Sequence, residues 1–189
     1  MKVFVIEKNA QSMFSAIFKS FYDKIIPDEV VEKNCNNLLL GDEIYTILNN
    51  KNISDRVENA LIKYGGYELL NDVKLCLCSS DNKALTVIFN FLYYVFYSKK
   101  DLSTLVSSPY VCEFNYLLSK VKNEINRTYT SLKFNKNQDG VIYATFSPKN
   151  DIIDVVAPFF VKKLSGLPFI IYDKKRNKTL SSNGKIIIN

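Results

Sequence analysis

The sequence predicts an α+β fold, with an N-terminal and middle helical layer packed with a C-terminal antiparallel β-sheet that carries one covering helix. Three observations predict it. Apolar residues recur at three-and-four spacing in segments from Ser12 to about Tyr129, and the period turns to alternation near Ser131. The last third then reads strand, strand, helix, strand, strand, strand. One domain is expected over residues 1–189, mainly helical over 1–130 and ββαβββ over 131–189, with a shared core.

The opening residues Met1 to Glu7 alternate as a short strand. Ser12 to Lys24 then places Met13, Phe14, Ile17, Phe18 and Phe21 on one helical face, with Gln11 or Ser12 as cap. Pro27 to Leu48 is mixed: Asn34 to Asn37 is loop chemistry, and Glu43 to Leu48 a possible strand. A helix starting at Ser54 lines up Val57, Ala60, Leu61 and Tyr64 before Gly65-Gly66 stops it. Tyr67 to Cys78, Asn82 to Ser98 and Leu102 to Tyr129 read as three more helices.

Leu132 to Phe134 and Val141 to Phe146 flank Asn137-Gln138-Asp139-Gly140, a hairpin turn in which Asp-Gly supplies the positive φ angles. Asp151 to Leu164 returns to helical spacing, with Pro158 expected to kink it or to begin a second segment and Gly166 to end it. Phe169 to Tyr172, Thr179 to Ser181 and Lys185 to Ile188 complete the strands, with turns at Asp173 to Lys178 and Asn183-Gly184.

Charge is regional. From residue 110 onward 13 Lys and Arg face 6 Asp and Glu, a balance of +7, whereas residues 1 to 109 hold 12 against 13, or −1. Cations interleaved with aromatics suit a phosphate-rich partner, because cations displace counterions and rings take stacked bases. A solvated lysine-rich rim is the other reading of the same composition.

Histidine is absent, which removes Ser-His and Cys-His nucleophiles, histidine-ligated zinc and imidazole acid–base chemistry. Catalysis would fall to carboxylates, lysine or tyrosine. Cys35, Cys76, Cys78 and Cys112 match no zinc or iron–sulfur spacing and read as buried free thiols, so no metal is expected. The longest apolar stretch, Ala84 to Tyr97, is interrupted by Asn90 and falls short of the roughly 20 residues that span a bilayer. Without a secretory signal at its start, the chain is expected in the cytoplasm, with no membrane partner.

Candidate residues gather in the basic third. Glu124 and Arg127 are three apart on the long helix and are placed to pair, or to serve a site just before the hairpin. Tyr172-Asp173-Lys174-Lys175-Arg176 joins a strand to a turn whose cations suit phosphate contact or solvent. Lys162 and Lys163 end the covering helix and complement its dipole, while Asp151 and Asp154 do the same at its start. Tyr143, Tyr172 and Phe169 are stacking platforms or core.

At these residues the chain resembles a bacterial family associated with DNA metabolism and DNA repair, encoded beside a radical-SAM DNA repair protein and sometimes fused to a uracil-DNA glycosylase-like domain. Five segments carry the resemblance: Glu124-Ile125-Asn126-Arg127 with Leu132-Lys133-Phe134; Gly140 to Ala144 with Pro148; Asp151-Ile152-Ile153 through Phe160; Phe169 to Asp173 with Arg176; and Met13 to Phe18. In the family pattern a histidine usually stands at Asn126, another often at Phe159, and arginine at Lys163. The missing histidines favour a binding role over catalysis.

The resemblance implies an association with DNA repair; joined to the basic last third, it makes the leading expectation an accessory that binds nucleic acid through Arg127, Lys133, Lys162, Lys163, Lys174, Lys175 and Arg176, with Glu124, Asn126, Tyr143, Tyr172 and Asp173 as further site candidates. Its radical-SAM partner would supply the iron–sulfur cluster and S-adenosylmethionine, leaving no cofactor in this chain. Two alternatives stand beside it. One is an interaction subunit of the radical-SAM protein without DNA contact; the other is a DNA-processing enzyme using Glu124 and neighbouring carboxylates with a divalent metal.

Overall fold

A computed structural model describes residues 1–33, 41–100, 102–138, 140–165, 167–183 and 186–188. Cys35, the Asn34 to Asn37 loop, Asp139, Gly166, Gly184 and Lys185 of the sequence reading lie outside them. The fold is α+β, as expected. Its chain divides into two compact units, Met1–Leu77 with Asp81–Leu118, and Cys78–Ser80 with Ser119–Asn189.

In the first unit, β1 (Lys2–Ile6) lies between β2 (Glu29–Glu32) and β3 (Glu43–Thr46), parallel to both. Helix α1 (Ala10–Asp23) makes the crossover from β1 to β2 that a parallel pair requires. Asn9 caps α1, accepting the Ser12 backbone N–H at 2.8 Å, so the cap lies before Gln11 and Ser12, where the sequence reading set it. Helix α2 (Lys51–Leu77) is two segments joined at Gly66, whose φ of 72° and ψ of −177° break the helix where the glycine pair predicts a stop. Helix α3 (Ala84–Ser98), a 3-10 turn (Leu102–Leu105) and α4 (Pro109–Ser131) follow. The last predicted helix is therefore shorter, because Pro109 favours a fresh start at the first helical turn.

Phe4, Met13, Phe14, Leu61, Ile88, Phe89 and Leu92 are fully buried in this unit's core, and Phe91 stacks on Phe114 with ring centres 3.9 Å apart. Each such side chain contributes roughly 1.5–3 kcal/mol by leaving water. Ala60 departs from its expected buried row and is exposed. So is Cys112, which faces away from its buried neighbours Val111 and Phe114; Cys76 is buried and Cys78 half-buried.

The second unit holds β4 (Asn135–Lys136), β5 (Ile142–Phe146), α5 (Ile153–Lys163), β6 (Phe169–Asp173), β7 (Lys178–Ser182) and β8 (Ile186–Ile188), with the strands in sequence order across one sheet. The predicted ββαβββ order holds. The predicted all-antiparallel pairing does not, because β5 and β6 are parallel. The chain climbs β5, returns along α5 and climbs again in β6; a strand–helix–strand crossover produces parallel neighbours, while the short turns elsewhere give antiparallel ones. Pro158 stands inside α5, and Ile153, Val156, Ala157 and Phe160 bury its inner face. Among the described residues, Ala144, Phe169, Ile171 and Leu180 are the buried apolar strand positions of this unit.

Candidate nucleic-acid interface

The carboxyl ends of β5 and β6 lie side by side, and two connections leave from them: the Ser147–Asp151 segment into α5 and the Lys174–Asn177 turn into β7. Alternation in β6 sends Asp173 inward, where it has no solvent exposure. Its carboxylate accepts the backbone N–H groups of Lys175 at 2.9 Å and Arg176 at 3.4 Å, and the Arg176 guanidinium at 3.0 Å. The same guanidinium donates to the carbonyls of Pro148 at 3.2 Å and Lys149 at 2.6 Å. The Lys175 ammonium adds a bond to the Lys149 carbonyl at 3.2 Å.

From α4, Glu124 closes the other side of that segment by accepting the N–H groups of Lys149 at 2.6 Å and Asn150 at 2.9 Å. Buried Asn150 in turn accepts the Ser80 N–H at 3.0 Å, and the Asp151 N–H donates to the Cys78 carbonyl at 2.8 Å. Glu124 is thus directed at the segment after β5, and it forms no ion pair with exposed Arg127. Asp151 takes both bonds of the Lys178 ammonium, at 3.0 and 2.8 Å, beyond its expected role at the helix start. Burial alone would lower the Lys178 ammonium, but its bonds to Asp151 and the charges of Asp151 and Asp154 outweigh this and raise it.

The opposite end of α5 has different chemistry. Lys163 donates to the Tyr129 carbonyl at 3.4 Å and sits over the Phe159 and Phe160 rings at 5.6 and 5.8 Å. Phe159 stacks on Tyr129 with centres 4.1 Å apart, one helical turn after Asn126. Phe159 and Lys163, two of the three positions where the chain departs from the resemblance, therefore meet at Tyr129, one helical turn from the third, Asn126. Arg127, Lys162 and Lys133 are exposed. Eleven helical residues, about 16 Å, separate this end from the Arg176 end, so Lys162 and Lys163 stand apart from Lys174, Lys175 and Arg176.

Between the two ends runs the outer face of the sheet. Register places Asn135, Tyr143, Ile170 and Ser181 in one row and Thr145, Tyr172 and Thr179 in the next. Tyr143 and Ile170 are 39% and 37% exposed, and half-buried Tyr172 donates its hydroxyl to Asn177 at 2.5 Å. Phe169, the third aromatic proposed for stacking, is core. Tyr143 and Tyr172 sit on neighbouring strands two residues out of register, roughly 8 Å apart from strand spacing and rise. Exposed Lys133 and Lys174 lie two residues from the outward positions Asn135 and Tyr172 and flank this face.

A family of domains of unknown function, DUF4130, matches residues 82–185. The chain belongs to the DUF4130 family. A search of curated proteins finds no match. The DUF4130 match takes in Glu124, the segment it holds, both cation groups and the outer sheet face. Within the DUF4130 region, sequence reasoning missed Lys149, Asn150 and Lys178 as parts of the arrangement. Its available signal was Pro148-Lys149-Asn150-Asp151, a polar stretch between a strand and a helix. No described helix is long and apolar enough to cross a membrane.

Proposed function

We propose that this DUF4130 chain binds single-stranded nucleic acid across the outer face of its C-terminal sheet, as an accessory in DNA metabolism. The observation that carries the reading is the pair Tyr143 and Tyr172 on an outward sheet face in a unit of strongly positive charge. Residues 119–189 hold 13 Lys and Arg against 5 Asp and Glu, a balance of +8, while the rest of the chain balances at −2. Of that unit's acids, Glu124 and Asp173 are held by backbone N–H groups and Arg176, and Asp151 and Asp154 face Lys178. Asp151, Asp154 and Asp173 offset Arg176 and Lys178, and Lys133, Lys149, Lys162, Lys174 and Arg127 remain exposed.

Bases would stack on the two tyrosines while Lys133 and Lys174 meet phosphates, a mode that tolerates any sequence because every base has a π-face. Arg176 and Lys175 serve in this reading by fixing the turn that presents Lys174. The family resemblance supports a place in DNA repair beside a radical-SAM protein, which would hold the cluster and S-adenosylmethionine. Fluorescence anisotropy with a labelled oligothymidylate and with duplex DNA, at two salt concentrations, tests the proposal. Single strands are expected to bind more tightly, with Tyr143→Ala and Tyr172→Ala each weakening binding by about tenfold. Absence of binding at low salt, or affinity untouched by both substitutions, would sink it. Retention of a protein partner with no nucleic acid would instead favour an interaction subunit.

A further inference from the structure

In the first unit, α1, α2 and α3 leave a cleft of about 350 Å³ between them. Ile17, Phe18 and Phe21 of α1, Val57 of α2 and Phe96 of α3 line it. Two cations stand at this apolar space, Arg56 on α2 and Lys99 just past the end of α3. The volume falls within the range of small-ligand sites and would hold roughly a dozen non-hydrogen atoms at the density of a liquid.

The lining has a particular chemical bias. It contains no carboxylate and no neutral polar side chain, so its side chains offer hydrogen-bond donors alone, those of the Arg56 and Lys99 cations. Among the described residues neither Arg56 nor Lys99 has an acidic partner, and neighbouring Glu58 pairs with Lys74 at 3.5 Å. The Arg56 guanidinium lies 5.4 Å from the centre of the Phe18 ring, which sets a cation at the edge of the apolar wall. Next to the cleft, Phe21 continues into a ladder with Tyr93 and Tyr97, at ring separations of 4.7 and 5.9 Å, so the apolar surface extends past the walls.

We propose that this cleft binds an amphiphilic anion, a medium-length apolar chain ending in one carboxylate or phosphate, with the chain between α1 and α3 and the head at Arg56 and Lys99. Apolar contact supplies affinity by leaving water, and the paired cations select the sign of the head group. Carboxylate and phosphate heads share this chemistry. Arg56 can grip either with two parallel bonds.

Isothermal titration of the full chain with decanoate, decyl phosphate, decanol and decylamine, each below its micelle concentration, tests the assignment. One equivalent of either anion is expected to bind, with decanol weaker by about tenfold and decylamine weaker still. Relative strength of the two anions identifies the head. Arg56→Gln with Lys99→Gln is expected to bring the anions down to the affinity of decanol. Ala60 is exposed at the cleft, so Ala60→Phe should fill it and abolish binding without altering the melting temperature. Equal binding of decanol and decanoate, binding that survives Ala60→Phe, or no binding of either anion would overturn the proposal.

Discussion

A carboxylate removed from solvent costs several kcal/mol unless its lone pairs are matched, and Asp173 is matched by two backbone N–H groups and a guanidinium. Removing it strands Arg176 beside an empty position. Asp173→Ala is expected to destabilise the fold by about 3 kcal/mol, read from urea unfolding by circular dichroism; Asp173→Asn should cost less because one carbonyl oxygen still accepts. Lys178 gives a prediction in pH. Its folded pKa is raised from 10.5, so its contribution is complete below that value and is lost as pH climbs through the raised one. Burial raises the Tyr129 hydroxyl from 10.0, and a group that ionises more readily when unfolded acts in the same direction. Stability should therefore fall above about pH 10, and Lys178→Met and Tyr129→Phe should each flatten the decline. A wild-type profile that stays level from pH 9 to 11.5 would contradict both assignments.

Among the elements, α2 isolates a backbone effect from a packing effect within two consecutive residues. Gly66 occupies a region of φ and ψ open to glycine alone, yet a Cβ there would meet nothing within 4 Å. Gly66→Ala should cost about 1–3 kcal/mol through the backbone only, with a melting temperature lowered to match. At Gly65 a Cβ would overlap the Leu69 side chain, including its own Cβ at 2.9 Å, so Gly65→Ala should instead disturb the core that Leu69 helps fill. The glycine pair was legible in the sequence as a stop. Strand β2 was not, since Glu29-Val30-Val31-Glu32 is too short to show a period. Parallel pairing of β5 and β6 was hidden for another reason: alternation is the same in either direction, and only the path through α5 distinguishes them.

For the whole molecule, separation of charge governs how a polyanion is met. In the proposed nucleic-acid reading, the −2 balance of the first unit and the +8 of the second would leave binding to the latter, and two to four phosphate contacts would give a log–log salt slope of about −1.5 to −3 with a single strand. Replacing Lys133 and Lys174 by glutamate should shrink that slope by about 1.5, whereas Lys99→Gln should leave it unchanged. The basic region and the outward parity of Tyr143 and Tyr172 were readable from composition and alternation. The engagement of Arg176 and Lys175 was not, because the carbonyls of Pro148 and Lys149 that receive them carry no signature in residue type.

The three residues Cys78–Ser80 belong to the C-terminal unit although they precede the rest of it by a wide interval, and Ser80 meets Asn150 70 positions further on. On a ribosome adding 5–20 residues per second, this piece emerges about 4–14 s before the residue that secures it. The unit can be completed only after its last strands are synthesised, so an early portion of the nascent chain waits, half-exposed cysteine included, for a partner not yet made.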